Sequence, residues 1–231
     1  MTTERTGRAA GILLLLTALA SLALLAAHPA ETATTFAAVL TEEAANRNVA
    51  AVVHGGYILV LVLQVVGYAK LSARLDLRRL LPLAGLVFFA AGTVILSASL
   101  LLDGLVIPAL AARYADVPAK IDSARTLFVF CETAIGFLMP MGLAFQGAAI
   151  ASWGAALWRA SSHIAGAIGL LSGLGMIAAL AANVAQPNPM LLMGSLAVPI
   201  LWAFVAATQM IRSTGTETLR RSTDLPILEE G

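Results

Sequence analysis

Apolar residues fall along this chain in six blocks, about 9 to 27, 49 to 69, 81 to 103, 129 to 153, 164 to 184 and 190 to 211, parted by short polar connectors. Each block has the roughly 20 residues that a helix needs to cross a hydrocarbon core about 30 Å thick. Lipid gives the backbone no hydrogen-bond partners, so apolar runs of this length satisfy their amides only as helices. The pattern predicts an all-α polytopic membrane protein, a single six-helix bundle over residues 1–212 with the lipid bilayer as its solvent. From Ser213 onward the chain turns polar, and residues 213–231 read as a disordered cytoplasmic tail.

Breakers mark where these helices end or bend. Pro29 follows the first span, Pro82 opens the third, and Pro108 and Pro118 lie in the connection before the fourth. Pro187 and Pro189 flank a short turn at Gln186 to Asn188, which makes the last two spans tight antiparallel neighbours. Pro140 and Pro199 fall inside spans and should kink them. Gly166, Gly169 and Gly173 share one face of the fifth span and read as a packing seam against another helix. Residues 28–48 form a connector in which Thr35 could cap a short helix, with Phe36, Val39 and Leu40 toward the membrane and Glu42, Glu43 and Arg47 toward water; it either covers the outer face as a lid or is simply the start of the second span's helix.

Charge sets the expected orientation. With the N-terminus inside, ten of the 14 basic residues fall on the cytoplasmic side: Arg5, Arg8, Lys70, Arg74, Arg78, Arg79, Arg159, Arg212, Arg220 and Arg221. Arg47, Arg113, Lys120 and Arg125 fall outside. That bias places both termini in the cytoplasm. Trp153 and Trp158, at the inner end of the fourth span, fit an interfacial belt. Arg5 and Arg8 before an apolar stretch also resemble a signal peptide, although the stretch is long for one. Cleavage there would leave the other five spans in the same orientation.

Composition narrows the function classes. Hydrophobic residues make up 59% of the 231 and charged ones 12%, while the net charge of +1 argues against a nucleic-acid partner. The single cysteine, Cys131, excludes an intrachain disulfide and a Cys-based metal cluster. The midplane of the six spans carries no Asp, Glu, Lys, Arg or His, which argues against a proton- or ion-coupled carrier.

Ionisable groups bordering a span cost free energy and need a reason to be there. His28 closes the first span, His54 lies about one turn into the second, Asp103 ends the third and Glu132 begins the fourth. Alternating helix direction brings all four to the outer face at similar depth. Two imidazoles and two carboxylates suffice for one divalent metal, zinc or iron rather than calcium. Haem between His28 and His54 is less well placed, because sequence-adjacent helices would have to straddle the macrocycle. The competing structural reading is that helix ends simply carry polar residues where they meet water. His54 resists that reading best, embedded between Val52-Val53 and the run from Ile58 to Leu63. A His54–Asp103 hydrogen bond joining the second and third spans is the minimal expectation, and these two residues are the candidate ligand-binding pair.

The order of three local patterns, Ala27-His28-Pro29, Val53-His54-Gly55 and Asp103-Gly104-Leu105-Val106-Ile107-Pro108, resembles small bacterial integral membrane proteins classed as a domain of unknown function. The resemblance covers mainly the first half of the chain. It implies a bacterial cytoplasmic (inner) membrane location and supplies no activity. Three functions remain open: a binding protein or enzyme with a polar ligand or metal site at the outer face, an accessory subunit held to a membrane-protein partner or to a second copy of itself, and a small transporter of an uncharged or amphipathic solute.

Overall fold

The computed structural model describes residues 3–29, 32–185 and 189–223. Its elements are α1 (Thr3–Ala26), α2 (Phe36–Arg74), α3 (Leu80–Leu101), a π-helical turn (Leu102–Val106), α4 (Ile107–Tyr114), a 3-10 turn (Pro118–Lys120), α5 (Ile121–Arg159), α6 (His163–Ala185) and α7 (Pro189–Thr223). Regular structure among the described residues is entirely helical. Counting α3 through α4 as one stretch, six helices are long and apolar enough to cross a membrane. The expected turn at 186–188 lies outside the described residues. The backbone of α7 continues as helix to Thr223, into the stretch expected as a disordered tail.

The helices pack as a closed ring in chain order, α1 to α2 to α3 to α5 to α6 to α7 and back to α1. Small residues set the close approaches. A Cβ on Gly154 would lie 2.5 Å from the backbone nitrogen of Leu170, and one on Gly173 would lie 2.5 Å from the Gly147 carbonyl, so α5 and α6 meet almost backbone to backbone. Gly166, Gly169 and Gly173 are thus the packing seam their spacing predicts. Gly11 does the same service between α1 and α7.

One half of the ring is solid. Tyr68 stacks on Trp153 with ring centroids 4.6 Å apart, Phe89 packs edge-on to Tyr68, and Trp202, Leu14 and Ala203 complete a buried core. The Trp153 indole N–H donates to Ser72 Oγ at 2.8 Å, tying α5 to α2. Trp153 is therefore a core residue rather than the interfacial one expected, because Gly85 of α3 leaves it room to turn inward. Trp158 is 46% exposed. In the α2–α3 turn at this same end, Asp76 adopts φ 75°, a conformation that Asp tolerates better than most residues. The Arg78 guanidinium beside it holds its carboxyl below the usual carboxylate range.

The opposite end departs from expectation. α2 has 39 residues, about 58 Å of helix, so of the two expectations for the stretch before the second span it is the start of that helix and not a separate short one. Thr35 does cap it, accepting from the Ala38 amide at 3.3 Å. Phe36, Val39 and Leu40 do not face the membrane. Leu40 is 1% exposed in a cluster with Ile107, Ala111, Ala124 and Phe128, and Phe36 and Val39 pack against it. Their apolar stripe is covered by α4 and the start of α5, a partner the sequence alone does not reveal. These segments form a three-helix cap over one end of the ring.

Candidate metal centre and its cavity

His54 sits on α2 where the helix passes from the ring into the cap. It is 4% exposed. Its Nδ1–H donates to the Ala50 carbonyl, one turn back, at 2.8 Å. A carbonyl only accepts, so this bond places a proton on Nδ1; Nε2 is then a lone pair in the neutral ring and a second donor in the protonated one. Nε2 lies 3.1 Å from Asp103 Oδ2. With a proton between the two atoms this is the hydrogen bond between α2 and α3 that the sequence leads one to expect, and two ligands of one metal would need no such proton.

α3 delivers Asp103 through an irregularity. Pro108 has no N–H to offer the carbonyl of Gly104, and the preceding turn widens into a π-turn closed by the Ile107 amide on the Leu102 carbonyl. Within it Gly104 is buried against His54. A Cβ on Gly104 would collide with Cβ and Cγ of His54, so only glycine lets the two helices come this close. The π-turn also carries helix three past its expected end at 103 and on into α4.

His28 lies just beyond α1 and is exposed. Its Nδ1 is also committed, donating to the Pro29 carbonyl at 2.9 Å, which leaves its Nε2 lone pair available. The His28 and His54 rings meet edge to face with centroids 5.1 Å apart. One ligand atom from each of His28, His54 and Asp103 lies within 4.8 Å of the other two. The connector that carries His28 is tied back to α2 by Glu42, whose carboxylate accepts from the amides of Thr32 and Ala33 and from the Thr32 hydroxyl.

Glu132 does not join them. It is exposed on α5, next to Cys131, which packs into the cap cluster. One residue turns a helix by about 100°, so a chain that buries Cys131 presents Glu132 outward. The acidic groups near the histidines are instead Glu42 and Glu43, which with Asn46, Ala50, His28, His54 and Asp103 bound a void of ≈ 20 Å³. That is room for one water-sized particle, which takes about 10–15 Å³. Their signal was present: Glu43, Asn46, Ala50 and His54 fall on one stripe of a helix that runs unbroken through all four.

Behind the three residues a cavity of ≈ 610 Å³ runs down the axis of the ring. Its walls come from α1, α2, α3, α5 and α7, with His28, His54 and Asp103 at its mouth and Gln64 and Gln146 at its far end. Ten residues of α2 separate His54 from Gln64, a depth of about 15 Å. Gln146 Nε2 and Ser99 Oγ are fully buried on this wall without a hydrogen-bond partner. Sequence reasoning passed over both, because uncharged polar residues in spans are common and usually bond across helices.

The chain matches no family model, no curated protein and no solved structure. Its function has to be read from this site.

Proposed function

We propose that this protein is a metal-binding, multi-pass protein of the bacterial cytoplasmic membrane, holding one zinc or iron ion through His28, His54 and Asp103 at the outer membrane face. The observation that carries the reading is the paired commitment of both histidines. Each spends its Nδ1 proton on a main-chain carbonyl, the support that metal-ligating imidazoles characteristically have. In the neutral rings both Nε2 lone pairs are then left for a metal, which would replace the proton between His54 and Asp103, and the third ligand atom is a carboxylate oxygen. Two imidazoles and one carboxylate suit zinc or ferrous iron and leave coordination positions open. A metal held this way supplies an acidic bound water, or a vacant position for substrate, at neutral pH.

The outward orientation rests on the basic residues, which concentrate at the end of the ring opposite the site: Arg74, Arg78, Arg79 and Arg159 all lie there. The bacterial location rests on the resemblance carried by the His28, His54 and Asp103 patterns.

Elemental analysis of detergent-purified protein, prepared without chelators, tests the centre. Near-stoichiometric zinc or iron is expected, falling to background in His54→Ala while the variant still inserts and purifies as the wild type does. Metal-free wild-type protein that stays metal-free after incubation with Zn²⁺ or Fe²⁺ ends the proposal.

A further inference from the structure

The cavity behind the metal site has a size, a shape and a lining of its own. Its volume, ≈ 610 Å³, falls within the roughly 300–1,000 Å³ of small-molecule sites. Leucines dominate the wall, among them Leu24, Leu61, Leu96, Leu143 and Leu196. The cavity is blind at its far end: beyond Gln64, Gln146 and Ile200 the ring is filled by Tyr68, Phe89, Trp153 and Trp202, each 1% exposed or less. A long apolar occupant fits this shape and a through-pore does not.

Against that apolar wall stand two polar groups that nothing within the protein satisfies. Ser99 lies one helical turn below Asp103, about 6 Å, and Gln146 packs against Gly92, a further seven residues along α3. Leaving a buried donor unpaired costs about 1–3 kcal/mol. An occupant whose polar head carries an oxygen removes that cost at Ser99.

We infer that the cavity is a binding site for a single-chain amphiphile, a lipid whose acyl or isoprenyl chain fills the ring axis and whose polar head lies against His54, Asp103 and Ser99. Such a molecule lies parallel to the lipids of the leaflet level with the site. α1 packs on α7 through Ala10, Leu14 and Ala18 against Ala203, Ala206 and Ala207, and toward the cap Leu24 and Leu25 of α1 and Leu192 and Leu196 of α7 line the cavity together. Leu25 of α1 lines the cavity there and is 38% exposed. The placement of the head rests on the metal reading above; the placement of the chain does not.

Photo-crosslinking of the full chain separates the two. The protein is reconstituted in phosphatidylcholine vesicles containing either a lysophosphatidylcholine with a diazirine at the end of its single acyl chain or a diazirine-bearing isoprenyl alcohol. After illumination the adducts are mapped by mass spectrometry. Adducts on the cavity residues Leu61, Leu96 and Leu143 are expected beside those on the outward-facing Val52, Val94 and Leu171, and the probe that gives them identifies the chain. Leu143→Trp should lower the inner adducts roughly tenfold and leave the outer ones unchanged, with Leu96→Phe as the second cavity-filling variant. Ser99→Ala should lower them several-fold. Adducts confined to the outer positions with both probes, or inner adducts indifferent to both filling variants, overturn the inference. His54→Ala should lose metal and keep the inner adducts. A protein without metal but with inner adducts leaves the chain site standing and removes the metal head, whereas metal without inner adducts does the reverse.

Discussion

His54 carries the largest share of the site because both of its ring nitrogens are committed. One is fixed by the Ala50 carbonyl and the other faces Asp103, and Gly104 presses on the ring from the side. Gly104→Ala must push the imidazole away, and metal affinity should fall by about 10–100-fold, the range typical when a group that orients a ligating histidine is lost. A competition titration with a chromogenic zinc chelator reads this, and unchanged affinity would mean that the ring is not held where a ligand must be. Glu132→Ala should bind metal as the wild type does. The two outcomes together separate the three-residue site from the four-residue one that sequence alone favoured. His54 and Asp103 were legible because a charge inside an apolar run is conspicuous. Glu132 was misleading because depth along a helix is readable from sequence and rotation about its axis, without knowing the neighbours, is not. Gln146 and Ser99 were legible only as polar residues; that they lack partners is a property of the packed ring.

At the scale of elements the site depends on two local devices that bring its ligands from three segments. Glu42 anchors the connector by accepting two backbone amides and a hydroxyl, and these hold His28 over α2. Glu42→Ala should release the connector, speed amide exchange at Thr32 and Ala33, and weaken metal binding by roughly tenfold or more, while His54 and Asp103 stay in place. Exchange that stays slow would show that something other than Glu42 orders this segment. The π-turn is the second device. Pro108→Ala returns the missing N–H, lets the turn close on the Gly104 carbonyl as regular α-helix, and so rotates Asp103 away from His54. Helical circular dichroism should be unchanged and metal lost; retained metal would show that the π-turn does not depend on Pro108. Hydrophobic periodicity found both host helices but gave their ends wrongly. α2 runs back to Phe36 and α3 runs on into α4, since their cap portions are amphipathic segments whose partners are each other.

For the whole molecule, six apolar blocks of adequate length were enough to predict six helices, because lipid leaves such segments no other structure. The ring was not legible. It depends on which face each helix turns to its neighbours, and that is settled by glycines such as Gly154 and Gly173 and by aromatic residues such as Trp153 finding room beside Gly85. A ring packed solid at one end and hollow at the other has a direction, and the basic residues around Arg74, Arg79 and Arg159 gather at its solid end. If the positive-inside bias governs insertion here, the hollow end with His28, His54 and Asp103 faces out of the cytoplasm. Cysteine labelling decides this. The native thiol is removed by Cys131→Ser, and single cysteines are introduced by Thr34→Cys in the connector of the hollow end and by Leu77→Cys in the α2–α3 turn of the solid end. In intact cells a membrane-impermeant maleimide should label the first and reach the second only after permeabilisation. The opposite pattern would turn the cavity mouth toward the cytoplasm, and the metal and the amphiphile would then have to come from the cytoplasmic side and its leaflet.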